Sequence, residues 1–197
     1  SRSRPRLEGG WRAMTRDRHP AAFGTQRLLL RQWRESDLEP FARLNADPEV
    51  MRHFPALLSR EQSDAMVDRL RGHIEAEGWG MWAVERRDTG EFIGFTGLAV
   101  PRQELPFQPC VEVGWRLARD AWGHGYASEA AREALRVGFD ELGLTEIVAF
   151  TAVANSRSRA VMERLGMVRD AAEDFDHPAV GVGHPVRRHV LYRKVRP

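Results

Sequence analysis

The spacing of apolar and polar residues predicts a chain that begins with a strand and two helices. In segment 28–33, apolar residues occupy both alternating sets of positions, which is typical of a strand buried on much of both faces. Ser36 is suited to cap a first helix. Ser59 and Gln62 have the spacing of a capping box for a second helix, which we expect to end at Gly78.

The middle of the chain has the two-residue period of β-strands. Segments 79–86 and 91–98 predict a hairpin, because turn-forming residues separate them. Segment 100–109 contains three prolines and therefore predicts a loop. Segment 111–116 alternates again and predicts a fourth strand.

The last third of the chain predicts a helix, a strand, a second helix and a final pair of strands. Small residues from Ala127 onwards give the first helix a close-packing face. Segment 145–152 is β-branched and apolar, as expected of a central strand, and Asn155 is placed to begin the next helix. Segments 167–169 and 189–194 form the final pair. The whole order predicts an α/β domain of the α+β type, with about seven strands and about four helices.

Composition divides the chain into a basic tail, 1–24, and one domain, 25–197. The length of 197 residues and the 42% hydrophobic content fit a single core. The tail holds six arginines against Glu8 and Asp17, so its charge of +4 leaves −2 for the domain when the net charge is +2. It has neither helical nor strand periodicity and is expected to be disordered. Because it also lacks interleaved aromatic residues, a nucleic-acid-binding role is disfavoured.

The sequence also lacks the features of membrane or secreted proteins and those of disulfide- or metal-stabilised proteins. No apolar run approaches the roughly 20 residues that a membrane helix needs, and no secretory signal is apparent, so we expect a soluble cytoplasmic protein without a membrane partner. Cys110 is the only cysteine, which excludes an intramolecular disulfide. Cysteine and histidine do not cluster at metal-ligand spacing, so no metal site is expected.

The sharpest chemical feature is a strand-to-helix turn that contains Gly123 and Gly125. Glycines let backbone N–H groups approach an anion closely, and the following helix N-terminus adds partial positive charge. The turn lacks the Gly-Lys-Ser/Thr of a Walker loop and the third glycine of a dinucleotide fingerprint. It therefore predicts a pyrophosphate cradle of another kind.

This turn, Gly123-His124-Gly125-Tyr126-Ala127, is followed by a long helix, a strand and the Asn155-to-Met167 motif. The combination resembles the GNAT acetyltransferases, and within them the RimJ/RimL-like branch that acetylates ribosomal-protein N-termini. Segments 25–31, 47–51 and 80–85 add to the resemblance, which covers about residues 25 to 195. It implies a three-layer sandwich with a mixed, mostly antiparallel sheet, splayed between its fourth and fifth strands to admit acetyl-CoA.

The resemblance also implies a set of residues along the coenzyme. The backbone around His124, Gly125 and Tyr126 is expected to hold the pyrophosphate, and Asn155 and Ser158 to face the pantetheine and thioester. GNAT proteins commonly have Gln or Arg three residues before the first glycine, where this chain has Asp120. The expected coenzyme-binding residues are Trp115, Trp122, Gly123, His124, Gly125, Tyr126, Ala127, Asn155 and Ser158.

Acetyl transfer to an amine needs an unprotonated nitrogen, so a base is expected near the acceptor. Glu112, on the strand entering the cradle, is where the resemblance places that base; alternatively it pairs with Arg116 or Arg119. Ser158 is a candidate proton donor to the leaving thiolate, with Tyr126 as a weaker one. A backbone N–H near Trp115 is a candidate to stabilise the negative oxygen.

The acceptor is open at this point between a protein N-terminus and a small molecule. His53, Asp176 and His177 are candidate substrate contacts, the last two because the segment between the final strands borders the acceptor cleft in relatives. Direct transfer in a ternary complex is expected, since no cysteine stands in the motif. The alternative is a catalytically silent acyl-CoA sensor or scaffold, and a homodimer formed through exposed final strands is a further prediction.

Overall fold

The computed structural model describes residues 22–197, so residues 1–21 of the tail predicted for 1–24 lie outside the described part of the chain. The sheet begins at Ala22, so its first strand is formed by the last three residues of the segment assigned to the tail. The strands are β1 (Ala22–Gly24), β2 (Leu28–Arg31), β3 (Met81–Arg86), β4 (Phe92–Ala99), β5 (Glu112–Leu117), β6 (Glu146–Ala152), β7 (Val168–Arg169), β8 (Phe175–Asp176) and β9 (Arg188–Val195). The α-helices are α1 (Leu38–Asn45), α2 (Arg60–Glu77), α3 (Tyr126–Arg136) and α4 (Ser156–Arg164).

The strands of the described region form one mixed sheet in the order β1-β2-β3-β4-β5-β6-β9-β7, with β8 also paired to β9. All neighbours are antiparallel except β5 and β6. These two parallel strands pair only at Glu112 and Val148 and then separate. The mostly antiparallel, splayed sheet predicted from the sequence is thereby confirmed, as are the four helices.

Helices cover the sheet on both faces and create two cores. Helix α3 packs on one face against β4 and β5, and α1 and α2 pack on the other, against β4 and β3. Strand β5 contributes to both layers, because successive side chains point to opposite faces. Val113 and Leu117 of β5 join the core beneath α3. Gly114 faces Met81 and Arg116 faces Phe95, and both of these partners belong to the core beneath α1 and α2. Glu112 and Arg116 therefore lie on the α1/α2 face of β5.

The two strands predicted to end the chain differ in exposure. Strand β9 lies inside the sheet, since it pairs with β6 on one side and with β7 and β8 on the other. Strands β7 and β8 pair with β9 alone among the described strands and form this edge of the sheet, where Val168 is exposed. A homodimer stays a prediction. Within residues 22–197, no helix is long and apolar enough to cross a membrane.

Helix capping confirms one sequence prediction and corrects another. Ser59 caps α2 as predicted, with its hydroxyl accepting from the Gln62 N–H at 3.1 Å and the Gln62 side chain accepting from the Ser59 N–H at 2.9 Å. Ser36 does not cap α1. Asp37 stands at the N-cap position of α1 but makes no side-chain cap hydrogen bond to that helix. Its carboxylate accepts from the Arg34 N–H at 2.8 Å and pairs with the buried Arg31 guanidinium.

Ser59→Ala should therefore lower the free energy of unfolding by about 1 kcal/mol, because the Gln62 N–H loses its acceptor at the start of α2. Ser36→Ala is the matched control, since this exposed hydroxyl is not the cap of α1, and should leave the midpoint of urea unfolding unchanged. Equal effects of the two substitutions on the urea midpoint would contradict the assignment of the caps.

Candidate active site

A cavity of about 640 Å³ opens where β5 and β6 part. It passes through the split in the sheet, so its walls come from the α3/α4 side and from the α1/α2 side. The predicted site residues that line it are His53, Glu112, Trp115, Trp122, Ala127, Asn155, Ser158 and His177. Asp176 is not brought to it: this exposed carboxylate faces Arg188 at 3.4 Å and Arg187 at 3.8 Å.

The glycine turn lies directly before α3, which begins at Tyr126. Gly123 and Gly125 have φ of +80° and +78°, a left-handed conformation that other residues adopt only with strain. A Cβ placed on Gly123 would meet nothing within 4 Å, so the turn is open on that side. The first N–H groups of a helix have no acceptor within the helix and carry partial positive charge. These features fit an anion such as a pyrophosphate.

Aromatic and cationic side chains brace this turn. The Trp122 indole N–H donates to the Leu117 carbonyl at 3.0 Å, and the Arg157 guanidinium lies 3.9 Å from the Trp122 ring centroid. His124 stacks on Tyr126 with 5.3 Å between ring centroids, and Arg27 lies 4.6 Å from the Tyr126 centroid. Tyr126 is buried and does not line the cavity, which leaves Ser158 as the candidate proton donor that faces it.

Asn155 and Ser158 form a hydrogen-bonded pair at the start of α4. The Asn155 side-chain oxygen accepts from the Ser158 N–H at 3.2 Å, and this contact caps the helix. The Asn155 amide donates to the Thr151 hydroxyl at 2.9 Å and to the Ser158 hydroxyl oxygen at 3.1 Å. Since the Ser158 oxygen accepts this bond, its own hydrogen remains available for donation into the cavity.

Glu112 faces the cavity at the single point where β5 and β6 pair. Its carboxyl group takes part in none of the hydrogen bonds or ion pairs of residues 22–197. Burial raises the pKa of Glu112 to about 8. The alternative ion pair is wrong, because Arg116 donates to the Asn45 side-chain oxygen at 2.7 Å and Arg119 faces Asp47 at 3.5 Å.

The α1/α2 side of the cavity also carries the predicted His177 together with His189 and Arg116, which the sequence analysis did not assign to the site. Burial lowers the pKa of His177, and the buried His189, 4.9 Å away between ring centroids, has a pKa lowered to about 4 by burial. Both rings are therefore neutral at physiological pH. Arg116 is the other missed residue. The available signal was its position four residues after Glu112, which places both side chains on one face of a strand.

Comparisons with known proteins agree on a family and a fold. The profile of the acetyltransferase (GNAT) domain matches residues 27–168. YkkB, an uncharacterized protein of Bacillus subtilis, is 35% identical over 144 residues, which are 73% of this chain and 83% of that protein. FsC-acetyl coenzyme A-N(2)-transacetylase of Aspergillus fumigatus is 34% identical over 161 residues, which are 77% of this chain and 68% of the enzyme.

Among solved structures, the ribosomal-protein α-N-acetyltransferase RimL in complex with coenzyme A superposes with a TM-score of 0.68. The alignment covers 90% of this chain and 97% of RimL at 17% sequence identity. At that identity the likeness concerns the fold alone. It supports the splayed, mostly antiparallel sheet as the fold of this chain.

Proposed function

This chain belongs to the GNAT family and is an N-acetyltransferase, and we propose that it moves the acetyl group of acetyl-CoA directly to a primary amine in a ternary complex. One observation carries the proposal: the unpaired Glu112 carboxyl lies in the same cavity as Ser158, at the split of the sheet. A group that accepts a proton and a group that donates one are what the reaction requires. A silent acyl-CoA sensor has no need of either.

The glycine turn and the start of α3 would hold the coenzyme pyrophosphate through backbone N–H groups. Trp115, Trp122 and Ala127 line the cavity beside this turn, and Arg157 brings a positive charge over Trp122. Acetyl-CoA supplies an activated thioester, and this part of the protein serves to position it. The residues that act on the acceptor lie across the split, on the α1/α2 face.

Glu112 accepts the proton that the amine gives up. An α-amine has a pKa of about 8, which matches the pKa of about 8 that burial gives Glu112, so proton transfer between them is nearly balanced. The Ser158 hydroxyl donates to the departing sulfur. Burial raises the pKa of the Cys110 thiol to about 11, which leaves almost no nucleophilic thiolate at neutral pH. This supports direct transfer over an acetyl-cysteine intermediate.

The named relatives support an amino nitrogen as the acceptor and leave its carrier open. The Aspergillus fumigatus enzyme is named an N(2)-transacetylase, and RimL is named for an α-amine of a ribosomal protein. We propose a protein N-terminus or a small-molecule amine, within the RimJ/RimL-like branch, and a cytoplasmic location. The test is release of coenzyme A thiol from acetyl-CoA with free-N-terminal peptides, amino acids, polyamines and aminoglycosides. Binding of acetyl-CoA without turnover on any amine would favour the sensor.

Ser158→Ala should lower kcat about tenfold, the equivalent of one lost hydrogen bond of about 1.4 kcal/mol in the transition state. Steady-state kinetics measure kcat. Isothermal titration calorimetry measures the Kd for acetyl-CoA, which should stay unchanged. Ser158→Thr is the matched control, because it keeps a hydroxyl at the same position and should retain most of the activity. Full activity of Ser158→Ala would exclude this residue as the donor.

A further inference from the structure

The acceptor side of the cavity carries more positive charge than the structure neutralises. Arg52, Arg69, Arg102 and Arg116 all line the cavity. Among the ion pairs formed within residues 22–197, none involves these four guanidinium groups. An excess of one charge in a cleft focuses the potential and attracts ligands of the opposite charge.

Arg116 is the one of these four arginines that is not exposed, and it alone among them has a buried nitrogen without a hydrogen-bond partner in the described residues. One of its terminal nitrogens donates to the Asn45 side-chain oxygen at 2.7 Å, and Asn45 in turn donates to Ser63 at 3.0 Å. The buried Nε atom of Arg116 has no hydrogen-bond partner within the described residues. Removing a cation from water without a carboxylate partner is costly, and burial lowers the pKa of Arg116 to about 10.

Aromatic rings hold the Arg116 guanidinium in place without neutralising it. Its central carbon lies 4.3 Å from the Phe54 ring centroid and 5.3 Å from that of Phe95. Such stacking fixes the plane of the group and repays part of the desolvation cost. A guanidinium fixed in this way retains donors in the geometry that a carboxylate accepts.

The side chains at the rim of the cavity add further positive charge. The pKa of the Arg69 guanidinium is lowered by burial and by the proximity of Arg102. The pKa of His53 is lowered by burial and by Arg52, which favours a neutral imidazole. The acidic lining residues are Glu49, which is exposed, and Glu112, which burial keeps largely protonated at neutral pH.

Strand β5 relates this positive site to the base. Every second residue of β5 faces the same side, so Glu112, Gly114 and Arg116 lie on one face of the strand. The Cα atoms of Glu112 and Arg116 are roughly 13 Å apart along it. Gly114 has no side chain between them, and the Met81 methyl group lies 3.0 Å from where its Cβ would be. Met81 and Gly114 both line the cavity, so a ligand that reaches from Glu112 to Arg116 would pass over the Met81 side chain.

We infer that the amine acceptor carries a carboxylate near its amino group, and that Arg116 binds this carboxylate while Glu112 receives the proton of the amine. The inference rests on the proposed function and assigns it a substrate class. Arg69 and Arg102 attract the same acceptor at the rim. Polyamines and other cationic amines are disfavoured by this arrangement.

The test uses free-N-terminal peptides that differ only at the second and third positions, which are both Asp, both Asn or both Lys. We expect kcat/KM for the Asp peptide to exceed that for the Asn peptide at least tenfold, with the Lys peptide lower still. In Arg116→Gln, the ratio of Asp to Asn peptide should fall below threefold while the Kd for acetyl-CoA is unchanged. Arg119→Gln is the matched control, since this exposed arginine faces Asp47 and should preserve the ratio.

The ratio of kcat/KM between the Asp and Asn peptides distinguishes carboxylate recognition from structural damage, because a variant that merely folds less well loses activity on all three peptides equally. Such an equal loss would overturn the assignment of Arg116. The double variant Arg69→Gln/Arg102→Gln should weaken the salt dependence of the rate with the Asp peptide. Equal turnover of the three peptides by the unmodified protein would refute the acidic acceptor and leave acetyl transfer intact. Absence of turnover on any amine would contradict the proposed function as well.

Discussion

Glu112→Gln should lower kcat roughly 100- to 1,000-fold, the range expected when a general base is removed. Glutamine keeps the size of the side chain but cannot accept the proton that the amine must lose. The carboxyl group of Glu112 has no partner within the described residues, so its replacement breaks no hydrogen bond or ion pair of the fold. Steady-state kinetics with the acceptor identified in the amine panel measure the effect.

The pH profile distinguishes a base from a residue that only shapes the cavity. Because burial raises the pKa of Glu112 to about 8, the carboxylate fraction, and with it kcat/KM, should rise through pH 8 and then level off. An α-amine titrates in the same range. Two acceptors with different amine pKa values separate the contributions, since the Glu112 limb stays at one pH. That limb should be absent in Glu112→Gln.

Stability provides the control for this variant. A carboxyl group whose pKa is raised on folding binds its proton more tightly in the folded state than in the unfolded one. Its contribution to the free energy of unfolding is present below the unfolded value of about 4.5 and is lost as pH rises to about 8. Glu112→Gln should therefore remove part of the fall in melting temperature over this interval. A variant that keeps full activity, or that unfolds at pH 7, would contradict this account of Glu112.

The periodic elements were accessible from the sequence because their side chains alternate between a core and a surface. The hairpin of β3 and β4, the capping box at Ser59 and the helix beginning after Asn155 were all predicted in this way. Strands β1 and β8 have three and two residues, too few to show a period. Their pairing depends on contacts with distant parts of the chain, which local patterns do not encode.

The same difference between local pattern and tertiary contact separates the site residues that were predicted from the one that was missed. Gly123 and Gly125 were predicted because a residue without a Cβ lets backbone N–H groups approach an anion, and the structure adds that both have positive φ. Arg116 was treated only as a possible partner of Glu112. Its real surroundings, Asn45, Phe54 and Phe95, come from α1, the α1–α2 connection and β4. Only the tertiary structure brings these segments around one guanidinium, so its lack of a carboxylate partner could not be read from spacing.

Gly125→Val should weaken acetyl-CoA binding by about 100-fold, because two effects act at one position. The φ of +78° is strained for a β-branched residue, so the turn shifts and its N–H groups lose their alignment. The added side chain also crowds the Arg27 guanidinium, one nitrogen of which would lie 3.6 Å from the new Cβ. Loss of one or two charge-assisted hydrogen bonds, each of about 1.5 to 3 kcal/mol, accounts for this change in Kd.

Calorimetric titration with acetyl-CoA measures the loss, and Gly143→Val supplies the control. Gly143 has a comparable φ of +70° and nothing within 4 Å of an added Cβ, but it lies beyond the far end of α3. Valine there introduces similar backbone strain without touching the proposed cradle, so the Kd should stay within about twofold even where the melting temperature falls. If Gly125→Val bound acetyl-CoA as tightly as Gly143→Val, the pyrophosphate would have to be held elsewhere. The matched strain of the two variants makes their difference in affinity a measure of contact with the coenzyme.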